Sequence, residues 1–218
     1  MLLLQNLFRV EGLEQAVALK LFNGQVVRFL LTFDEKRIVG EFNEELSAFC
    51  KTYASFLVKR GRALLGIHAL KRAIMRVQRS SDEVTPLHRA LAKLCLKAKC
   101  YDHAEEVISQ HSITYNAVCS EMDILVYNYY RGLLFTGLKR HEEAIHCFRL
   151  AVAQPSMVMH EAILESYKKL LLVSLLHADE SPALPKYTSY QVRNKLRTLA
   201  SSYISFVEAY KKKDDKAL

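Results

Sequence analysis

The fold of this chain is decided by two copies of one unit, LCLKAKCYDHA at residues 94–104 and LFTGLKRHEEA at residues 134–144. When the two stretches are aligned end to end, a leucine, a lysine and an alanine match. A weaker copy lies upstream, where Gly66 takes the place of Ala104. A two-helix unit that recurs about every 40 residues is typical of a helical solenoid.

The later copy also resembles a degenerate tetratricopeptide repeat, in which the proline comes one residue early and Asn128 stands at the usual tryptophan position. Gly132 is followed at the characteristic intervals by Ala144, Phe148 and Ala151, and Pro155 closes the unit. Small residues let two helix backbones approach, the phenylalanine fills the space behind them, and the proline ends the second helix. The alternative is that Gly132 and Ala144 are two small residues of an ordinary helical hairpin. We expect the repeats to pack through Gly66, Ala104, Gly132, Ala144, Phe148, Ala151 and Pro155.

Composition supports the same fold class. Of the 218 residues, 50% are hydrophobic and 25% are charged, which is ordinary for a globular protein with a core. The chain contains only 7 Gly and 4 Pro, whereas β-sandwiches and barrels need many turn residues. We predict an all-α protein: a right-handed superhelical stack of antiparallel helical hairpins, of the tetratricopeptide-like solenoid type.

Apolar residues recur at helical spacing along most of the chain. Gly61 carries the signal of a helix end, Thr85 and Pro86 carry that of a helix start, and Gly24 is a possible break. Residues 179–185 are the clearest loop. Leu64 is expected to face inward with the other apolar residues of its helix. The pattern predicts helices over residues 13–22, 26–32, 35–42, 46–58, 64–77, 87–98, 101–109, 122–138, 141–153 and 160–177, and one or two helices over 191–210.

Positive charge is concentrated between Lys59 and Lys99. This stretch holds eleven basic residues and two acidic ones, while the whole chain has a net charge of +8. Such a surface could follow the phosphates of a nucleic acid, but few aromatic side chains are interleaved for base stacking. We therefore favour a solvated or protein-facing surface. The candidate partner-facing residues are Arg60, Arg62, Arg72, Arg76, Arg79, Lys93 and Lys97.

The sequence contains no motif that marks catalysis, a metal or a cofactor. A glycine-rich phosphate loop, a GxSxG elbow and an HExxH pair are all absent, and the 8 His and 5 Cys lack the paired spacing of a zinc site. The odd number of cysteines, with no CxxC pair, predicts reduced thiols in the cytosol or nucleus. The tyrosines of residues 127–130 are better explained by packing than by base stacking. The uncharged apolar run that comes closest to a membrane span, residues 170–176, is far too short to cross a bilayer. We therefore expect no membrane partner.

Two longer stretches, LESYKKLLLVSLL at residues 164–176 and LPKYTS at residues 184–189, carry a resemblance to a known family. They closely resemble the subunit-three family of the COP9 (constitutive photomorphogenesis) signalosome, which belongs to the PCI proteins. Further similarity lies at residues 66–74, 94–101 and 129–139. The resemblance runs from about residue 27 to about residue 210 and is strongest over 127–189. A proteasome lid subunit of the same PCI group is the alternative resemblance.

The resemblance implies a non-catalytic scaffold subunit of the complex that removes the ubiquitin-like modifier from cullins and thereby regulates cullin–RING ubiquitin ligases. It implies other signalosome subunits as direct partners, cullin–RING ligases as indirect ones, and a location in the cytoplasm and nucleus. A helical-repeat protein that binds nucleic acid is the alternative function. The family continues into a winged-helix PCI module, which we expect to be absent from this chain; the chain would then be a repeat-region fragment, a truncated gene model or a divergent short form. We divide the chain into N-terminal helices at 1–58, a helical-repeat domain at 59–210 and a polar tail at 211–218.

Overall fold

A computed structural model describes residues 13–34, 42–109, 114–155, 159–178, 182–184, 186 and 188–212. Residues 35–41 of the helix predicted over 35–42, most of the loop predicted over 179–185, and the tail from residue 213 onward lie outside these residues. The described part forms ten helices and one pair of two-residue strands. In chain order these are α1 Leu13–Thr32, α2 Asn43–Lys59, α3 Leu64–Val77, β1 Glu83–Val84, α4 Pro86–Ala98, α5 Tyr101–Ile108, β2 Thr114–Tyr115, α6 Glu121–Gly137, α7 His141–Ala153, α8 Glu161–Ala178, α9 Tyr190–Leu199 and α10 Ser201–Lys212.

The helices stack as consecutive hairpins. The first helices of successive hairpins, α2, α4, α6 and α8, contact one another in sequence, while α3 packs against α4, and α7 packs against α6 and α8. Helices α9 and α10 close the stack against α8. One continuous cluster of buried apolar side chains runs through all layers, from Phe22 to Val207. The prediction of an all-α stack of helical hairpins is confirmed.

Three turns with the same geometry join the two helices of each hairpin. Gly61, Lys99 and Lys139 each adopt a left-handed backbone conformation, with φ of 64°, 56° and 61°. The residue after each turn position donates its backbone N–H to the carbonyl five residues earlier, at 2.9–3.0 Å, as in a Schellman motif. The intervals between these three positions are the same as the offsets that relate Gly66, Ala104 and Ala144 in the sequence copies.

The left-handed turns give a testable prediction. An L residue in this conformation is less stable than glycine because its Cβ crowds the following carbonyl oxygen. Replacing Lys139 with glycine should therefore raise the free energy of unfolding by about 1 kcal/mol, measured by urea unfolding followed by circular dichroism. The matched change Lys97→Gly, within α4, should lower it by about 1 kcal/mol. Destabilisation by Lys139→Gly would contradict the turn geometry.

Four local predictions differ from the structure. Helix α1 continues through Gly24 because Phe22, Val26 and Leu30 bury one helical face, whereas Gly24 lies on the open side with no atom near a would-be Cβ. Leu64 is 63% exposed, because it stands at the first position of α3, ahead of the residues that the neighbouring helices cover. Helix α10 continues to Lys212, so residues 211 and 212 are its last turn and not the start of a tail.

The fourth difference is a pair of short parallel strands, in which Glu83 lies opposite Thr114 and Val84 opposite Tyr115. The segment before α4, for which the sequence pattern predicts no strand, is therefore ordered. Glu83 is buried, and its carboxylate accepts from the Arg79 backbone N–H and the Asn116 side chain. The pairing ties the segment before α4 to the segment before α6, which fixes how two consecutive hairpins enter the stack.

Candidate functional site

The closest approach between α6 and α7 occurs at Gly132. A Cβ added there would lie 2.6 Å from the nearest ring carbon of Phe148, which is less than a van der Waals contact. Ala144, Phe148 and Ala151 line the same side of α7 and are fully buried. The bare backbone of Gly132 therefore makes room for the Phe148 ring.

Gly66 has the corresponding place in the earlier hairpin. A Cβ there would lie 2.6 Å from Leu57 Cδ1 and 2.7 Å from Leu94 Cδ1, so α3 meets α2 and α4 at this residue. Ala104 is buried, and Pro155 is exposed directly after Gln154, the C-terminal cap of α7.

A third close approach, at Gly137, was not singled out from the sequence. A Cβ there would lie 2.6 Å from the ring of Tyr101, so the end of α6 meets the start of α5 at this residue. In the alignment of the two copies, Gly137 lies opposite Lys97, which is not a small residue. The repeat pattern therefore does not mark Gly137 as a packing position.

A charged cluster at Asp123 joins three layers of the stack. The Asp123 carboxylate accepts from Lys51 Nζ of α2 at 2.7 Å and from Arg89 of α4 at 2.9 Å. It also accepts from the Ser120 hydroxyl at 2.8 Å, while the Ser120 oxygen caps α6 by accepting from the Asp123 backbone N–H. Burial alone would raise the pKa of Asp123, but the hydrogen bonds from Lys51, Ser120 and Arg89 outweigh it and lower the pKa. One carboxylate thus holds α2, α4 and α6 in register.

A second buried polar contact lies at the N-terminus of α4. The Thr85 backbone N–H donates to His88 Nδ1 at 3.0 Å, and the imidazole packs edge-on against the ring of Tyr127 in α6. Burial lowers the pKa of His88 to about 4, although the Thr85 backbone and the Glu83 charge act in the opposite direction. The imidazole is therefore neutral at neutral pH, with Nδ1 as an acceptor.

The lowered pKa of His88 predicts acid sensitivity. An unfolded histidine titrates near pH 6.5, so between pH 6.5 and about 4 the unfolded chain binds a proton that the folded chain does not. The free energy of unfolding should fall by about 2 kcal/mol from this residue between pH 7 and pH 5. In His88→Gln, which keeps a capping acceptor but cannot titrate in this range, that loss should be absent. An equal loss in both proteins would show that His88 is not the cause.

The predicted basic residues do not all share one surface. Arg62, Arg72, Arg79 and Lys97 are exposed. The Arg60 guanidinium lies 5.6 Å from the centre of the Phe56 ring at the end of α2. Arg76 donates to the carbonyls of Leu31 and Phe33 and lies over the Phe33 ring, so it anchors the segment after α1 and is not a free partner-facing cation. Lys93 donates to Ser55 Oγ at 2.9 Å.

The thiols and tyrosines contribute to packing. All five cysteines are free, and Cys50, Cys95 and Cys147 are buried. Burial raises the pKa of Cys95 to about 12 and that of Cys147 to about 11, so both are inert thiols at neutral pH. Tyr127 is buried between layers, while Tyr129 and Tyr130 are half-buried with their ring centres 5.6 Å apart.

Two kinds of feature are absent from the part of the chain that the structure describes. No three histidine, cysteine, aspartate or glutamate side chains of the described ranges come together as a set that could bind a metal ion. No helix in those ranges combines the length and the apolar character needed to cross a membrane.

Comparison with known proteins gives a consistent result. The family model described as "COP9 signalosome complex subunit 3, N-terminal helical repeats" matches residues 3–192. The COP9 signalosome complex subunit 3 of Dictyostelium discoideum is 29% identical over 171 residues, which cover 76% of this chain and 41% of the relative. Its counterpart in Drosophila melanogaster is 26% identical over 207 residues, which cover 85% of this chain and 46% of the relative. The chain spans less than half the length of these curated relatives.

Proposed function

The chain belongs to the family of COP9 signalosome complex subunit 3 N-terminal helical repeats, and on that premise we propose that it acts as a non-catalytic scaffold subunit of the COP9 signalosome. Its role is then to hold other subunits in the complex that removes the ubiquitin-like modifier from cullins. The observation that carries the proposal is the family match over residues 3–192, which includes every hairpin from α2 to α7.

The architecture suits a scaffold. In a stack of helical hairpins, each layer packs mainly against its two neighbours. The sides of the stack therefore remain as long helical surfaces to which partner proteins can bind. The described chemistry fits such a role: the buried carboxylate of Asp123 links helices of three layers, and His88 caps a helix. The direct partners are other signalosome subunits, cullin–RING ligases are regulated indirectly, and the expected location is the cytoplasm and nucleus.

A binding experiment with single recombinant subunits tests this proposal. The immobilised chain is incubated with each of the other signalosome subunits in turn and, in parallel, with proteasome lid subunits. We expect at least one signalosome subunit to be retained after washing at physiological salt, and no lid subunit. Retention of lid subunits alone would reassign the chain to the alternative PCI scaffold, and retention of neither set would contradict the proposed role.

A structural control separates specific from non-specific retention. Gly132→Leu forces a side chain into the space of the Phe148 ring between α6 and α7, whereas Gly24→Leu places the same side chain on an open helix surface. Retention of the partner should be weakened by the first change and unaffected by the second. Equal retention by both variants would show that binding of the partner does not depend on the packing between α6 and α7.

A further inference from the structure

The side of the stack formed by α2 and α4 carries a group of closely spaced cations. Arg89, Lys93 and Lys97 follow one another at every fourth position along α4. This spacing places them on one helical face, separated by about 6 Å along the axis. Lys59 lies at the end of α2, which packs directly against α4. We call Lys59, Arg89, Lys93 and Lys97 the basic ridge.

One contact between the helices and the charges that act on Lys93 place these four side chains near one another. Lys93 reaches from α4 to Ser55 of α2, with its ammonium 2.9 Å from the hydroxyl oxygen. Burial and the positive charges of Arg89, Lys97 and Lys59 lower the pKa of Lys93. The hydrogen-bond partner of Lys93 is thus a neutral hydroxyl, while the charges that act on it are positive.

Among the described residues, only the Arg89 end of the basic ridge has an acidic side chain as a partner. Asp123 pairs with Arg89 and also with Lys51, a further cation of α2. Lys59, Lys93 and Lys97 form no ion pair with any side chain of the described ranges. Three like charges held this close on a packed surface repel one another, and an external anionic group would relieve that repulsion.

Acidic side chains also lie further along the stack, on α8, where Lys168 pairs with Glu165. Tyr130 of α6 borders the ridge at Arg89, and its neighbour Tyr129 lies close to Glu161 and Glu165 of α8. A polyanion with uniform charge, such as a nucleic acid, would meet these carboxylates as it continued across the stack. Both tyrosine rings are half-buried and pack on each other, which leaves no open platform for bases. A protein segment whose acidic residues are confined to a short stretch avoids both problems.

We propose that the basic ridge is a docking surface for an acidic segment of a protein partner, with carboxylates that pair with Lys59, Lys93 and Lys97. A helix with a glutamate at every fourth position matches the spacing of the lysines on α4. The proposal goes beyond scaffold function and does not depend on which complex contains the chain.

The test is a fluorescence anisotropy titration of the full chain with three probes. These are a labelled alanine-rich helical peptide with glutamate at every fourth position, the same peptide with glutamine instead, and a labelled single-stranded oligothymidylate. The variant Lys59→Glu/Lys97→Glu reverses the two exposed cations of the ridge. The matched control Arg72→Glu/Arg79→Glu makes the same change in net charge at exposed residues of α3 and the turn after it, and circular dichroism checks that both variants fold.

We expect the wild-type chain to bind the glutamate peptide about tenfold or more tightly than the glutamine peptide, with affinity that falls as salt is added. The ridge variant should lose that preference and the control should keep it. Absence of the preference in the wild type, or its equal loss in the control, would overturn the proposal. Tighter binding of the oligothymidylate that depends on the ridge would also overturn it, in favour of a nucleic-acid surface.

Discussion

Replacing Gly132 with leucine is expected to lower the free energy of unfolding by about 3 kcal/mol. The new side chain would have to occupy space that the Phe148 ring already fills, since even a Cβ would lie 2.6 Å from it. Phe148 is completely buried and cannot swing into solvent. Urea unfolding followed by circular dichroism measures the effect.

Gly24 provides the matched control for this change. It also lies inside a helix, but no atom is within 4 Å of a Cβ added there. Gly24→Leu should therefore stabilise the protein slightly, by up to about 1 kcal/mol, because leucine favours helix over glycine. Unchanged stability in Gly132→Leu would show that α6 and α7 do not need this close approach.

A double variant tests the specific contact. Phe148→Ala alone should cost about 4 kcal/mol because it opens a cavity in the core. Combined with Gly132→Leu it should cost clearly less than the sum of the two, since the leucine enters the space that the ring has left. Simple additivity would mean that the two residues do not share that space.

The second large effect is expected at Asp123. Asp123→Asn keeps the shape of the side chain but leaves Lys51 and Arg89 without their counter-charge, and should cost about 2 kcal/mol. The value is below that of a fully buried pair, because the two cations are 33% and 29% exposed and water screens them in part. Glu121→Gln, an exposed residue of the same helix turn, should change stability by only a few tenths of a kcal/mol.

The contribution of Asp123 should depend on pH in a defined direction. Its pKa is lowered in the folded protein, so the stabilisation is complete above the pKa of an unfolded aspartate, about 3.9, and is lost as the pH falls through the folded value. The difference in unfolding free energy between wild type and Asp123→Asn should therefore be constant from pH 7 to pH 5 and shrink toward pH 3. A difference that grows on acidification would show that Asp123 is not held ionised by its partners.

Features set by neighbouring residues could be predicted from the sequence. The bounds of α3 and α7 follow from apolar spacing, and Gly61 and Pro86 mark a helix end and a helix start because their backbones favour those positions. The equivalent turns at Lys99 and Lys139 follow from the alignment of the copies. Both residues take the left-handed conformation that Gly61 takes, although neither residue type signals it.

Features that depend on distant residues could not be predicted in this way. Asp123 of α6 pairs with Lys51 of α2, and Arg76 of α3 reaches back past the whole of α2 to carbonyls at the end of α1 and just beyond it. The parallel pairing of Glu83 with Thr114 is equally non-local. These contacts arise only when the layers stack, and no local spacing marks them. For the same reason the sequence grouped Arg76 with the surface cations, whereas the structure gives it an anchoring role.

The proposed role of this chain as a signalosome scaffold is tested most directly in the source cells. The chain is tagged at its endogenous locus, captured under gentle conditions, and the co-purified proteins are quantified by mass spectrometry. We predict recovery of the other signalosome subunits in near-equal amounts with the tagged chain. Recovery of proteasome lid subunits in their place, or of the tagged chain without any signalosome subunit, would contradict the claim.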